Sequence, residues 1–350
     1  VIDFAPRLPR GLDVEAPIEI VRLVRPLAGL PRLRVDFDPR PDYGRVRAEI
    51  HETATGLEVL GLASPLGFAT NLPLSYVLNK AEFTLDRPLF FAFGWGRRET
   101  LPTFESLEGD KNLTVAGWRA WAKTCSLPTF APAHVLRSAL CLKLHAYHDT
   151  GAIIAATTTS IPEAMGTPRT WDYRYCWLRD AAFVVEALRR LSHLAEGEQF
   201  IRYLRDTVGD DPLQPVYGIG GERDLTEEML PHLAGFGGNG WVRRGNAACE
   251  QRQNDLMGEL ILCLDTFLGD PRIVHDDPHR YFPLIARLVE DAIALAPQND
   301  TGIWEFRTML RPYTFSRAMC WAAVQRGAQI ARRLSRHAEA ERWEAIAAAE

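Results

Sequence analysis

The sequence lacks long apolar runs, clusters of basic residues and paired cysteine motifs. No stretch reaches the roughly 18 apolar residues of a transmembrane helix. The formal net charge is −5 and no basic run occurs, so we expect neither a nucleic-acid partner nor a membrane surface. The six cysteines form no CxxC pair and have no histidine at metal-ligand spacing, so we expect no metal site. Free cysteines in apolar contexts favour a reduced, cytoplasmic setting.

The length of the chain indicates two domains, because 350 residues exceed one ordinary hydrophobic core. The start at Val1 reads as the middle of a strand, and the end at Glu350 lies inside a helical pattern without a cap. We therefore expect that both termini are cut from a longer chain.

The first third of the sequence predicts β-structure, and the remainder predicts helices. Short runs with β-branched residues, separated by Pro, Gly and Asp, are typical of an antiparallel sandwich or curved sheet. These runs are Ile18–Val24, Leu33–Phe37, Val46–Ile50, Leu57–Leu62, Ala81–Leu85 and Leu89–Phe93. From about Leu113 the apolar period becomes helical. The predicted helices are roughly 133–148, 180–194, 196–208, 246–268, 278–295, 315–334 and 337–350.

Three long loops, 151–178, 209–245 and 296–314, separate the predicted helices and are rich in Gly, Pro and aromatic residues. Loops of that length in a compact domain usually carry function. Helices joined by alternately short and elaborate loops suit an α/α toroid. We place the boundary between the β region and the helical region near residues 110–130.

The stretch Trp171–Asp180, WDYRYCWLRD, combines four aromatic rings with two Arg–Asp pairings just before a predicted helix. Rings cover the apolar faces of a sugar, and Arg and Asp form bidentate hydrogen bonds to its hydroxyls. The alternative is an aromatic-capped helix start with a surface Arg–Asp pair, in which the helix macrodipole favours the Asp180 carboxylate in the first turn.

Two further segments hold candidate groups. Asn246 follows Trp241–Gly245 and is either an N-cap or a ligand contact. Glu305 stands between Trp304 and Phe306, and aromatic neighbours that desolvate a carboxyl favour its protonated form, as a general acid requires. The alternative for Glu305 is a half-exposed ion pair with Arg307.

Together these segments resemble glycoside hydrolase family 15, the family of glucoamylases and of certain bacterial and archaeal trehalases. The resemblance is carried, in the family's order, by Thr158–Glu163, Trp171–Asp180, Tyr217–Glu227, Val242–Ala248 and Gly302–Arg307. It implies an α+β multidomain fold, with an N-terminal antiparallel β-sandwich at 1–112, a helical linker at 113–132 and part of an (α/α)6 barrel at 133–350. We expect no cofactor, because the chemistry is acid–base work on a bound sugar.

The resemblance implies an inverting exo-hydrolase that releases glucose from the non-reducing ends of α-glucosides. Glu305 matches the general acid, and Arg179 and Asp180 match the pair that holds the terminal glucose. Trp177, Arg243 and Trp304 match motif positions close to the sugar. The segment that carries the family's general base has no counterpart here, so we expect the base to lie beyond Glu350 and the polypeptide alone to be inactive.

The preferred prediction is a glucan 1,4-α-glucosidase of the glucoamylase type acting on α-glucans or maltooligosaccharides. An α,α-trehalase is the close alternative, because both substrates present a terminal α-glucose. A non-catalytic sugar-binding relative would keep the terminal-glucose site and lack the base. A phosphorylase is a weaker alternative, since it needs a phosphate site of Lys, Arg or Ser groups.

Overall fold

The computed structural model describes residues 1–11, 13–96, 99–209, 211–273 and 277–349. The chain divides into two compact units, Val1–Lys123 and Thr124–Glu350. The first unit is rich in sheet and the second is mainly helical, which confirms the coarse expectation of a β region followed by a helical region. No helix in the described part of the chain is long and apolar enough to span a membrane.

The described residues of the first unit form ten strands, and the predicted runs located three of them closely, namely β4, β7 and β10. They are β1 (Ile2–Phe4), β2 (Leu8–Arg10), β3 (Asp13–Glu15), β4 (Glu19–Val24), β5 (Arg32–Leu33), β6 (Glu49–Thr53), β7 (Gly56–Leu60), β8 (Leu66–Thr70), β9 (Phe83–Thr84) and β10 (Leu89–Trp95). Six of them form one antiparallel sheet in the order β1-β4-β10-β8-β7-β6, and β2–β3 and β5–β9 form two small ribbons. The unit also contains two short helical segments, α1 (Pro41–Gly44) and α2 (Leu74–Leu78), and the long helix α3 (Phe104–Lys123).

Both faces of the six-stranded sheet are apolar. Along β10, Phe90 and Ala92 point to one face, where Phe104 and Leu107 of α3 cover them. Leu89 and the half-buried Phe91 belong to a second cluster on the other face. This alternation is the period-2 pattern of a strand, so one strand supplies two cores.

Within the described part of the second unit, the chain forms seven α-helices, three 3₁₀ turns and three short antiparallel ribbons. The helices are α4 (Pro132–His145), α5 (Leu178–Arg190), α6 (Ala195–Val208), α7 (Leu256–Gly269), α8 (Phe282–Leu295), α9 (Thr314–Arg333) and α10 (His337–Ala349). The ribbons pair β11 (Thr159–Pro162) with β12 (Thr170–Asp172), β13 (Cys176–Trp177) with β14 (Val216–Tyr217), and β15 (Glu228–Met229) with β16 (Arg243–Arg244). All three ribbons lie in the loops that the sequence marked as functional.

Helix α7 is the centre of this unit and packs against α5, α8 and α9. Its contact with α9 requires a glycine: a Cβ on Gly258 would lie 2.3 Å from the carbonyl oxygen of Met319. The predicted helix 246–268 is wrong in its first half, because Ala247–Glu250 form a 3₁₀ turn and the α-helix begins only at Leu256. Residues 251–255, which connect the turn to the helix, form part of the candidate active site.

Candidate active site

Three segments of the second unit converge at one carboxylate. Strand β13 ends at Trp177 and leads directly into α5, so Arg179 and Asp180 occupy the first turn of that helix. The segment before α7 supplies Gln253, and the loop between α8 and α9 supplies Glu305.

The Glu305 carboxylate is held through one of its two oxygens. Its Oε1 accepts hydrogen bonds from Trp177 Nε1 at 2.8 Å, Arg179 Nη2 at 3.1 Å and Gln253 Nε2 at 3.1 Å. Within the described residues, Oε2 has no hydrogen-bond partner. The side chain is 26% exposed, so the carboxylate is partly accessible from solvent.

The backbone at Glu305 is left-handed, with φ of 56°. A non-glycine residue held in that region is strained, and such strain clusters at functional sites. The loop is fixed by Gly302, whose φ is 65° and where a Cβ would come within 2.8 Å of the Tyr313 ring. The amide of Glu305 donates to the Gly302 carbonyl at 3.0 Å, which closes the turn.

Arg179 ties the acid to the buried interior. It is 6% exposed, and its Nη1 donates to Gln253 Oε1 at 2.8 Å and to Asp255 Oδ2 at 2.9 Å. Burial works to lower the pKa of Arg179, but the carboxylates of Asp255 and Glu305 outweigh it and the pKa is raised. Arg179 therefore stays charged and holds the carboxylates of Asp255 and Glu305 in place.

Among the described residues, the carboxylate of Asp180 has no partner. It is exposed, and it makes no hydrogen bond or ion pair with any residue that the structure describes. Crowding by surrounding atoms raises the pKa of Asp180, Arg179 opposes this effect, and the negative charges of Glu305 and Asp255 add to it. An unpaired acceptor beside Glu305 is free to bind a hydroxyl of a ligand.

A cavity of about 780 Å³ opens beside Glu305, in the size range of small-molecule sites. Its lining includes Glu163, Trp171, Tyr173, Gln251, Trp304, Glu305 and Arg307. The lining contains both polar and aromatic groups, as suits a ligand that has both hydroxyls and apolar faces.

The sequence-predicted residues fall into two places. Trp177 and Arg179 bind Glu305 directly. Asp180 makes no hydrogen bond with Glu305 but is near enough for the negative charge of Glu305 to raise its pKa. None of the three residues lines the cavity. Trp304 lines it and is 79% exposed. Since Phe306 is exposed as well, the aromatic neighbours do not bury the Glu305 carboxyl as expected.

Arg243 stands behind the cavity wall rather than on it. Its guanidinium donates to Glu227 Oε1 at 2.5 Å and to the Pro168 carbonyl at 2.8 Å. Trp177 is only 2% exposed, so its ring offers no face to a sugar, and its Nε1 donates to Glu305. The roles in sugar binding that the sequence assigned to these residues stay predictions.

Hydrogen bonds bear on two alternatives from the sequence, the ion pair of Glu305 with Arg307 and the N-cap at Asn246. The pairing of Glu305 with Arg307 is wrong, because Arg307 binds Glu227 through both Nη atoms, at 3.0 and 2.7 Å. Asn246 is an N-cap, but of the 3₁₀ turn Ala247–Glu250 and not of the predicted α-helix, because its Oδ1 accepts from the Ala248 amide at 3.0 Å. It also lines the cavity, so its contact with a ligand stays a prediction.

The sequence analysis missed Gln253 and Glu227, which the structure places in the two polar networks. A signal for Gln253 was present, since the polar run Gln251–Asp255 directly precedes the apolar helix α7. No group of His, Cys, Asp and Glu within the described ranges is arranged to hold a metal ion.

Comparison with known proteins identifies two matching family models. Residues 130–349 match the model described as "Glycosyl hydrolases family 15", and residues 10–72 match "Trehalase-like, N-terminal". The first match covers more than half of the chain and includes every residue of the Glu305 cluster.

Curated relatives match nearly the whole chain. It is 34% identical to the trehalase of Mycobacterium tuberculosis and 35% identical to that of Mycolicibacterium smegmatis, in each case over 96% of this chain and 52% of the relative. It is 29% identical to the trehalase of Thermoplasma volcanium, over 98% of this chain and 55% of the relative. The chain thus spans about half the length of these relatives.

These relatives overturn one prediction. They carry the name trehalase, and the match over residues 10–72 is trehalase-like, so the expectation of a glucoamylase acting on α-glucans is wrong. The motifs behind it concern the terminal glucose, which trehalose shares with α-glucans, and so carried no information about the leaving sugar. What the match over residues 130–349 shows is the family: the chain belongs to the glycosyl hydrolases of family 15.

Proposed function

We propose that the chain carries the general acid and the terminal-glucose site of an inverting α,α-trehalase. The observation that carries the proposal is the Glu305 carboxylate, fixed through Oε1 by three donors and free at Oε2. The trehalase names of the relatives support trehalose as the substrate.

The arrangement suits proton donation from a defined atom. Because three N–H donors occupy Oε1, negative charge is stabilised there, and the proton of the acid form resides on Oε2. Oε2 then faces the glycosidic oxygen and protonates it as the bond to the leaving glucose breaks. Trp177, Arg179 and Gln253 act as positioning residues that fix the direction of this transfer.

Asp180 supplies the acceptor for the terminal glucose. A carboxylate that has no protein partner accepts hydroxyl hydrogen bonds without first breaking an internal one. Arg179 keeps its Nε–H and one Nη2–H unused in these networks, so it can donate to the same ring. Inversion also needs a second carboxylate about 6.5–9.5 Å from the acid to activate water, and we assign no residue of this chain to that role.

The family match also supports the finer architecture as a proposal. The first unit would be a β-sandwich domain with its boundary at residue 112, followed by a linker at 113–132. The helices from residue 133 onward would form part of an (α/α)6 barrel, with the loops before α5, α7 and α9 at its active-site end. The cytoplasmic location stays a prediction.

The direct test is glucose release from trehalose and from maltose, measured side by side. Glucose release is measured with this chain and, where the natural gene product is longer, with the full product as well. We expect turnover of trehalose by the product that also supplies the second carboxylate, and Glu305→Gln should abolish most of it. Turnover of maltose alone would overturn the trehalase proposal. Trehalose binding without turnover of either sugar would favour the non-catalytic relative.

A further inference from the structure

The cavity beside Glu305 lies on only one part of the site. Glu305 lines it, whereas Arg179 and Asp180 do not. A glycosidic oxygen that Glu305 protonates joins two sugar rings. If Asp180 and Arg179 hold the terminal ring, the cavity is the space left for the ring that departs.

Arg307 provides free donors on the wall of this cavity. It follows Glu305 by two residues, lines the cavity and is 36% exposed. Two of the five guanidinium N–H groups are used by Glu227, so three remain for a ligand. A fixed, partly exposed guanidinium is well suited to sugar hydroxyls.

Trp171 forms the adjoining part of the wall and is held at several points. The guanidinium carbons of Arg307 and Arg243 lie 4.1 and 4.9 Å from its ring centroid. Its indole N–H donates to Glu163 Oε1 at 2.8 Å, and Arg169 Nε binds the other oxygen of Glu163 at 2.5 Å. The ring is therefore fixed by cation–π contacts and by a hydrogen bond.

Glu227 joins the two arginines behind the wall. Its carboxylate binds both Arg243 and Arg307, and its side chain is largely buried. Burial works to raise the pKa of Glu227, but Arg307 and Arg243 outweigh it and lower the pKa, so the group stays ionised at neutral pH. Glu227 thus contacts both of the guanidinium groups that pack against Trp171.

We propose that the wall formed by Trp171, Glu163 and Arg307 is the subsite for the leaving glucose, and that Glu227 is the positioning residue that builds it. Arg307 donates to hydroxyls of the departing ring, and Glu163 accepts from them. This inference rests on the proposed function, because it assigns the second ring of the same substrate.

The test compares two substrates that share the terminal glucose and differ in the leaving group. The leaving group of trehalose is a second glucose with several hydroxyls, whereas that of para-nitrophenyl α-glucoside is nitrophenol, which has no sugar hydroxyls. The variants are Arg307→Lys, which keeps the charge but loses the planar fork, and Glu227→Gln. The control is Glu228→Gln, which removes the neighbouring surface pairing of Glu228 with Arg244 on the same ribbon.

We expect Arg307→Lys to lower kcat/KM for trehalose about tenfold or more, mainly through KM, for each charge-assisted hydrogen bond lost. For the nitrophenyl glucoside the change should stay within about threefold, because that leaving group makes no such bond. Glu227→Gln should also lower kcat/KM for trehalose more than for the nitrophenyl glucoside, but by a smaller factor. Glu228→Gln should leave kcat/KM unchanged for both substrates. Binding of trehalose is measured in the Glu305→Gln chain and in the same chain with Arg307→Lys added. We expect the added substitution to weaken trehalose binding by the same factor as it lowers kcat/KM.

An equal loss on both substrates would overturn the subsite, because Arg307 would then act on the acid or the terminal ring. Unchanged kcat/KM for trehalose would overturn it as well. A wild-type protein that binds the iminosugar deoxynojirimycin but neither binds nor cleaves trehalose would instead overturn the proposed function. Melting curves confirm that each variant is folded before its kinetics are compared.

Discussion

The two units of the chain bury very different groups. In the described part of the first unit, the buried polar side chains are Thr70 and Thr114, and ion pairs such as Arg22–Asp3 lie at the surface. The second unit buries charged side chains throughout. They are Lys143, Asp172, Arg179, Glu196, Asp255, Glu259, Asp270 and Asp300.

This difference separates a scaffold from a site. A buried charge costs several kcal/mol unless it is paired and hydrogen-bonded, so a chain keeps such charges only where they are compensated or useful. In the second unit many of them are compensated by one another, as Lys143 is by Glu196 at 2.6 Å and Arg179 by Asp255. Glu305 lies at the edge of this charged interior, where it meets solvent.

The sharpest way to test the comparison is to remove one carboxylate from each unit. Glu305→Gln should lower trehalose turnover by about 10²–10⁴-fold, the usual contribution of a general acid. Its amide oxygen can still accept the three hydrogen bonds, so the affinity for deoxynojirimycin should change little. Glu15→Gln, at an exposed pair with Arg10 in the first unit, is the control. Equal kinetics for the two variants would remove Glu305 from its proposed role.

The buried ion pair should matter for stability far more than a surface one. Asp255→Asn leaves the Arg179 charge without its fully buried partner and should lower the free energy of unfolding by about 3–5 kcal/mol. Asp3→Asn breaks the exposed Arg22 pair and should cost at most about 1 kcal/mol. Urea denaturation measures both. Similar losses would show that the interior of the second unit is not energetically distinct.

A pH dependence should arise from Glu259, which faces a small apolar cavity between α5, α6 and α7. Burial, and then the charge of Asp255, raise its pKa from 4.5 to about 7. Below pH 4.5 the group is neutral in both states; as the pH rises to about 7 the unfolded chain loses its proton first, so stability falls by about 3 kcal/mol.

Replacing Glu259 by Gln should remove that part of the pH dependence. The measurement is urea denaturation of both proteins near pH 5 and near pH 8, with the difference between the two pH values compared. A variant that loses as much stability as the wild type over this range would show that Glu259 does not titrate there.

Glycine substitutions sharpen the comparison at the level of packing. Gly258→Ala places a methyl group against the Met319 carbonyl and should destabilise by about 1–3 kcal/mol. Gly109→Ala in α3 of the first unit meets no atom within 4 Å and should stabilise by about 0.5–1 kcal/mol through helix propensity. Thermal unfolding of the two variants should therefore shift in opposite directions, and a shift in the same direction would contradict the packing of α7 on α9.

The sequence predicted those elements whose pattern is local. Helices 180–194 and 196–208 correspond to α5 (Leu178–Arg190) and α6 (Ala195–Val208), because their apolar stripes are strong. Strand β8 (Leu66–Thr70) was missed, since it is buried on both faces and shows no alternation. The first half of the helix expected at 246–268 is absent because tertiary hydrogen bonds, such as the Asn254 amide to Asp300 Oδ2 at 2.9 Å, override local propensity.

The site shows the same limit. Motif resemblance identified Glu305, Arg179 and Trp177, and the structure brings them together although 126 residues or more separate Glu305 from the other two. For Gln253 the only local signal is the polar run before α7, and the roles of Gln253 and Glu227 depend on partners distant in sequence. A role that depends on contacts between distant segments cannot be predicted from any one segment.

The left-handed backbone of Glu305 has an evolutionary consequence. In that conformation a residue with a side chain costs about 1–2 kcal/mol relative to glycine. The backbone at position 305 alone thus favours glycine or asparagine, and a library sorted for thermal stability would be drawn towards them. A library sorted for glucose release would retain glutamate. Position 305 is where selection for fitness as a catalyst and selection for fitness as a fold pull in opposite directions.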